Sequence, residues 1–436
     1  MRKRLCARFI LGLAAATLVS GAATAAETEF SVLHTFDVAN ATTGDSPGGS
    51  QPDTRPMLGP DNTVYGMTYT GGANGTGVIY KYGLSTHKYS VIHTFGALDA
   101  NMDNEDGAYP GVALTRGPDD VFYGMASFGG TNGNGTVFSV TPEGKFKVLH
   151  EFSALDANLH NEDGANPLRT IVVASDGNLY GTTRTGGENG LGVAWVIGRS
   201  GGFIVVHQFT STEGHAASLL QARDGYFYGC AVFPNPTLGS GILYRMDPSG
   251  HHFEVLYRFT PINKNGANED GANCYEPLVE RHPGVFYGTT RSGGNGNGVV
   301  FRYSLAQPNR VAVIHNFSVC ETSGATCINT DGASPESRLT LRGDSALYGT
   351  ASNGGTGGSG VVFRVRPDEA FEVLHTFSAV NATTGANKDG ALPDFGVIFA
   401  GDDDLIGMAD AGGKGDASYG FGNGTLYRLS IERRER

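Results

Sequence analysis

Several residue types and patterns are scarce in these 436 residues, and each scarcity narrows what the chain can be. Cysteine occurs five times, and no pair takes the tight CxxC spacing that a zinc site favours. Basic residues are outnumbered, 31 Lys and Arg against 43 Asp and Glu, for a net charge of −12. That sign opposes phosphate backbones and anionic lipid, so no nucleic acid is expected as a partner. Neutral polymers, cations and basic partners remain. Past the leader, no stretch holds the roughly 18 uninterrupted apolar residues of a membrane helix, so no membrane insertion is expected. There is no HExxH, no nucleophile elbow and no metal-ligand cluster in the sequence.

The leader itself is explicit. MRKR precedes an apolar run through FILGLAAATLV and small residues ending in Ala23-Thr24-Ala25, the three-part pattern of a secretory signal peptide over residues 1–26. Residues 27–436 then form the folded unit, expected as a single monomeric domain, secreted or periplasmic. Four cysteines survive cleavage, and in an oxidising compartment they allow three pairings. We favour Cys320–Cys327 within one loop and Cys230–Cys274 between neighbouring repeats.

What is abundant is glycine, 66 residues, without the every-third-residue period of collagen. The stretch LYGTTRTGGENGLGVAW, residues 179–195, resembles a phosphate loop in isolation, but it recurs. The Tyr-Gly pair returns at Tyr65, Tyr123, Tyr180, Tyr228, Tyr287 and Tyr348, with Ile406-Gly407 as a degenerate seventh, mostly about 58 residues apart. Each copy leads through a Gly-rich bend into a strand-like run such as GVVFRY. A second strand such as VLHEF follows, then a polar loop ending in variants of DGAxP and a short apolar run. An isolated phosphate loop would occur once and open a helix, so these glycines read as bends.

Four short strands per unit and seven units predict an all-β fold, a seven-bladed β-propeller of four-stranded blades. The last unit lacks its final strand, and the missing copy, VLHTF at residues 32–36, sits at the other end of the chain. That N-terminal strand is expected to join the C-terminal blade and close the ring, which leaves no free sheet edge. A β-helix would need no such split unit.

These units resemble the GloVer (Gloeo_Verruco) tandem repeats of secreted bacterial proteins, whose pattern runs approximately LYGTT.GGG..G.GTVFKL, then VLHSF and DGA.P. LYGTTRTGGENGLGVAW, FYGTTRSGGNGNGVVFRY and LYGTASNGGTGGSGVVFRV match it most closely. The resemblance implies the propeller and export, and no established activity. Many such proteins carry a C-terminal anchor, whereas this chain ends at IERRER.

In four-stranded blades the loop between strands two and three and the loop joining blades open on one face, where binding sites form. The histidines of the HxF strands, His34, His93, His150, His207, His315 and His375, recur around the ring and read as structural, as does Trp195, placed between blades. Informative variation lies three residues after each Tyr-Gly glycine: Tyr69, Ser127, Arg184, Val232, Arg291, Ser352 and Asp410. Tyr69, Arg184, Arg291 and Asp410 are the candidate ligand-binding residues. The arginines suit carboxylate or sulfate and Tyr69 suits a sugar face; the competing reading is exposed strand ends that tolerate any residue.

In the loop DANMDNEDG, Asp99, Asn101, Asp103 and Glu105 alternate as oxygen donors, a pattern suited to Ca2+ and equally to a solvated turn. The leading functional expectation is a secreted propeller that presents its long-loop face to a polysaccharide or cell-surface partner. The alternative is a polysaccharide-active enzyme at the mouth of the ring. A lyase would draw on Arg184 or Arg291 with His160, His215 or Tyr275, and a glycoside hydrolase on a carboxylate pair, with Glu162 and Glu269 among the candidates. Arginine and histidine converging at one mouth would favour the enzyme; scattered around the rim, they would favour the binder.

Overall fold

A computed structural model describes residues 28–431, except 39, 41–45, 112, 234–238, 324–325 and 416–421. The signal segment 1–26 lies outside the described residues. The fold is an all-β propeller of seven blades, each an antiparallel sheet running from the central channel outward in chain order. Blade 3 is representative. Its strands Ala165–Val173, Leu179–Thr185, Val193–Ile197 and Phe203–Gln208 pair in that sequence. In blade 7 the strands Val397–Ala400, Asp404–Ala409 and Thr425–Ile431 are followed by Thr28–Thr35, which pairs antiparallel with Thr425–Ile431.

The repeat motif has a packing cause. The second and third strands of a blade lie between neighbouring blades and are buried along nearly their whole length, whereas the outermost strand is only partly covered. A large aromatic on the third strand crosses over the glycine of Tyr-Gly on the second. A Cβ on Gly181 would overlap the fully buried ring of Trp195, and one on Gly124 would overlap Phe138. Only glycine leaves room for that ring, so the Tyr-Gly pair and the third-strand aromatic recur together. Trp195 packs with Met125 and Phe152 of blade 2, between blades.

The Gly-Gly bend is fixed by an asparagine. Asn104 Oδ1 accepts the N–H groups of Gly107 and Gly130 at 2.8 and 2.9 Å, while its Nδ2 donates to the carbonyls of Gly96 and Gly107. Gly129 and Gly130 stand at φ 73° and 78°, where a Cβ is disfavoured. Asn161, Asn268, Asn329 and Asn387 repeat the arrangement. These glycines therefore bend the chain.

The outer rim is a belt of histidines. Each outermost-strand His stacks on the aromatic that opens the next blade's outermost strand, with ring centroids 3.9 Å apart for His93 on Phe146 and 3.7 Å for His150 on Phe203. The other face of the imidazole edge is tied to the DGA loop: Asp106, Asp163 and Asp331 each lie 2.9 Å from the Nε2 of His93, His150 and His315. Glu213 serves His207 at 3.2 Å. Burial alone would raise the pKa of Asp163, but hydrogen bonds from His150 and Ser153 outweigh it and hold the carboxyl below its ordinary value.

Cys230–Cys274 joins blades 4 and 5, with Cα atoms 5.7 Å apart, and Cys320–Cys327 closes a hairpin in the loop between blades 5 and 6. Disulfides of this kind persist in oxidising compartments. Among the described residues no helix is long and apolar enough to cross a membrane.

Candidate functional site

The residue before the proline of DGAxP controls how each blade enters the channel. Tyr109, Asn166, Ser334 and Leu392, with Asn273 and Gln51 in the equivalent places, all take positive φ between 51° and 61°. Non-glycine residues resist that conformation, and it persists because hydrogen bonds on both sides hold it. The N–H of Asn166 donates to Asn134 O of the previous blade at 2.9 Å, and that of Ser334 to Asn297 O at 2.9 Å. On the other side, the carbonyls of Gln51, Asn273 and Leu392 accept the N–H groups of Tyr69, Arg291 and Asp410 at 2.8, 3.1 and 3.1 Å. The variable positions after Tyr-Gly are thus anchored by their backbones at the rim of the channel.

A cavity of about 660 Å³ opens there, lined by Tyr69, Arg184, His215, Tyr275, Asp53 and Arg169, together with Phe233 and Phe395. Four of the sequence-derived candidates meet in it: Tyr69, Arg184, His215 and Tyr275. Arg184 is exposed, and among the described residues no carboxylate pairs with it. His215 Nδ1 lies 2.8 Å from the carbonyl of Arg184. A carbonyl only accepts, so Nδ1 carries the proton and a neutral ring keeps Nε2 as a free base.

Arg169 was not singled out in the sequence. It sits on a register shift between Pro167 and Ile171 at φ 71°, which throws its side chain off the innermost strand and across the channel. Nη1 meets Glu276 of blade 5 at 2.5 Å and Nη2 meets Glu336 of the loop entering blade 6 at 2.9 Å, while the guanidinium lies 5.1 Å from the Tyr275 ring centre. One arginine therefore links three blades. Burial works against the charged guanidinium, but the two carboxylates outweigh it and drive its pKa further up.

On the side formed by blades 7 and 1, Asp53, Asp394 and Asp410 each place a carboxylate oxygen within 4.8 Å of the others, an arrangement able to hold a metal ion. Asp410 was a candidate; Asp53 and Asp394 were not. Burial first, then their mutual repulsion, pushes Asp53 and Asp394 well above the usual carboxylate range, and burial lifts Asp410 to about 6. Oδ1 of Asp394 and of Asp410 is shielded from solvent with no hydrogen-bond donor. Carboxylate-only ligands of this kind suit a hard cation.

The remaining candidates stand elsewhere. Arg291 is paired with Glu336 at 3.4 Å and is not part of the cavity wall. His160 lies over Gly190 in the loop region of blade 3, and Glu162 and Glu269 are exposed on loops away from the cavity wall. In the DANMDNEDG loop, Asp99 Oδ1 accepts the N–H groups of Asn101 and Asp103 at 2.7 and 3.0 Å, so this carboxylate caps its own turn. Asp156 and Asn263 do the same in the next two such loops. Asp103 and Glu105 belong to no group of three or more His, Cys, Asp or Glu side chains placed to hold a metal among the described residues.

With fold and mouth defined, the chain can be placed among known proteins. The Gloeobacter/Verrucomicrobia repeat matches residues 21–162, 157–269 and 263–418, and the protein belongs to that family. No curated protein matches the sequence. Among solved structures, virginiamycin B lyase from Staphylococcus aureus is similar, with a TM-score of 0.56, 12% identity, and coverage of 93% of this chain and 100% of that one. An oligogalacturonate lyase in complex with manganese gives a TM-score of 0.50 at 12% identity, covering 94% of this chain and 98% of the other. A puromycin-hydrolyzing peptidase from Mycobacterium tuberculosis gives 0.51 at 10% identity over 86% of this chain and 51% of that one. At such identities the likeness concerns the fold alone.

Proposed function

We propose that this is a secreted propeller whose mouth binds an acidic saccharide. One observation carries the reading: among the described residues Arg184 has no carboxylate partner, and it stands in a cavity whose walls include Tyr69, Tyr275 and Phe233. An unpaired guanidinium suits a uronate or sulfate group, and aromatic faces suit the apolar side of a sugar ring. The Asp53–Asp394–Asp410 group belongs to the same reading as a seat for a hard divalent cation such as calcium, which would relieve the crowding of three carboxylates and offer a second contact to an acidic ligand.

A lyase is the second reading, favoured by the meeting of Arg184, His215 and Tyr275 in one cavity. In such a β-elimination, Arg184 neutralises the uronate carboxylate and His215 Nε2 takes the proton from the neighbouring carbon. The electron pair forms a carbon–carbon double bond, the C–O bond to the leaving sugar breaks, and the departing oxygen takes a proton from Tyr275. The test incubates mature protein with neutral, uronic and sulfated polysaccharides, with and without calcium, while retained protein and released oligosaccharide are measured. Retention on acidic polymers without products, lost in Arg184→Ala, supports the binder. Unsaturated oligosaccharides lost in His215→Ala establish the lyase instead, and no retention with no product rejects both.

A further inference from the structure

Below the mouth the channel holds a second cavity of about 210 Å³, which shares Gly111, Arg169 and Phe395 with the cavity above. Its walls come from the innermost strands and entry segments of blades 1, 2, 3, 5, 6 and 7 and are largely apolar, with Met57, Leu114 and Ile398 among them. Three guanidiniums, Arg55, Arg169 and Arg338, face it with one carboxylate, Glu276.

The charges do not balance. Arg169 already engages both Glu276 and Glu336. Arg55 reaches across blade 7 and donates to neutral acceptors only: Nη2 to Thr340 Oγ1 at 2.7 Å and to Val397 O at 3.0 Å, and Nε to Val397 O at 3.3 Å. Among the described residues, no hydrogen bond or ion pair reaches the Arg338 guanidinium, whose charge acts on Arg55 as a like neighbour. Of the three guanidiniums that line the chamber, only Arg169 has carboxylate partners, in a protein whose net charge is −12. Guanidiniums without carboxylate partners in a largely apolar channel are destabilising unless an anion joins them.

We propose that this inner chamber binds a small oxyanion, of the phosphate, sulfate or carboxylate class, between Arg338 and Arg55. A planar donor fork on Arg338, the Nη1 hydrogens that Arg55 keeps beyond its bonds to Thr340 and Val397, and a largely apolar wall favour an oxyanion over chloride, because an oxyanion offers several acceptor oxygens at once. The anion is a separate occupant from the saccharide of the mouth, so the site stands whether or not that reading holds.

The experiment titrates the mature protein with inorganic sulfate, phosphate and acetate at matched ionic strength, with chloride as the reference anion, and follows both the melting temperature and binding of labelled sulfate by equilibrium dialysis. The expected result is saturable uptake of one oxyanion per chain, with a melting temperature that rises with ligand concentration and levels off as for single-site binding. Arg338→Met should weaken uptake at least tenfold and raise the melting temperature of the anion-free protein, since it removes an unpaired charge. Arg184→Ala should bind the inorganic anion like the wild type; if it loses that binding, the anion occupies the mouth and the chamber assignment is overturned. Absence of saturable uptake by the wild type would also overturn it, as would full uptake by Arg338→Met. Should Arg338→Met not fold, Arg338→Gln takes its place, and dialysis of the wild type alone still decides whether a site exists.

Discussion

The same residue, aspartate, behaves in opposite ways at the rim and at the centre of this ring. In the outer belt, Asp163, Asp331 and Asp389 each meet a histidine and an N–H and O–H of one serine; burial opposes their charge, but these bonds outweigh it and keep them more acidic than usual. At the mouth, Asp53, Asp394 and Asp410 stand half-buried beside one another, and their pKa values rise. The belt recurs blade after blade and answers the need to tie seven sheets into a ring. The mouth group occurs once among the described residues, where blades 7 and 1 meet, and leaves Oδ1 of Asp394 and of Asp410 without a hydrogen-bond donor. Repetition here marks residues that hold the fold, and the unrepeated, incompletely satisfied charge is what motivates the proposal of a ligand at the mouth.

The comparison can be broken at several points, beginning with the largest effect. Arg169→Met strands Glu276 in the channel and leaves Glu336 with Arg291 alone, and should destabilise the fold by about 3 kcal/mol, read from the denaturant midpoint. Asp163→Asn removes a charge-assisted acceptor from the belt and should cost about 2 kcal/mol in the same assay. The identical change at the mouth, Asp410→Asn, should do the reverse and stabilise the calcium-free protein at pH 7.5 by on the order of 1–2 kcal/mol, the rise from 3.8 to about 6 discounted for the partial exposure of the site. Arg184→Ala, an exposed position, should leave stability within about 0.5 kcal/mol of wild type while abolishing retention on uronic polymers.

The pH profile separates the two regions by sign. For the belt acids the folded pKa lies below the unfolded one, so their contribution is complete above the ordinary carboxylate range and is lost as pH falls through the folded value. For Asp410 the folded pKa, about 6, lies above the unfolded 3.8, so its contribution is present at low pH and is lost as pH rises toward and past 6. His34, whose burial lowers its pKa to about 4, adds stability as pH rises from 4 toward 6.5. Subtracting the profile of Asp410→Asn from that of the wild type removes His34 and the belt. The difference should show the wild type losing ground between pH 4 and 7.

Much of the architecture was legible because its causes are local. Tyr-Gly, the third-strand aromatic, DGAxP and HxF each solve a packing or turn problem within one blade or against the next, and they repeat at a period the eye can follow. Tyr69, Arg184 and Asp410 stood out as candidates because they vary within that constant frame; Tyr69 and Arg184 line one cavity and Asp410 stands with Asp53 and Asp394. Arg169, Asp53 and Asp394 were missed for a physical reason: their partners come from distant blades, and a strand-like run such as RTIVVAS gives no sign that its arginine leaves the ladder. The signal that was present is the residue after the proline in Gln51-Pro52-Asp53 and Leu392-Pro393-Asp394, charged where neighbouring repeats carry Gly111 or Leu168. Conversely, the alternating oxygens of DANMDNEDG suited a cation in one dimension, while in three the first of them, Asp99, turns to the backbone of its own loop.

The account rests on the claim that the unrepeated mouth is the binding surface, and calorimetric titration of mature protein with a uronic oligosaccharide tests it most directly. The wild type should bind one oligosaccharide per ring, more tightly with calcium present, and Arg184→Ala should show no heat of binding while melting at the wild-type temperature. Equal binding by wild type and Arg184→Ala would contradict the claim and move the surface away from the mouth.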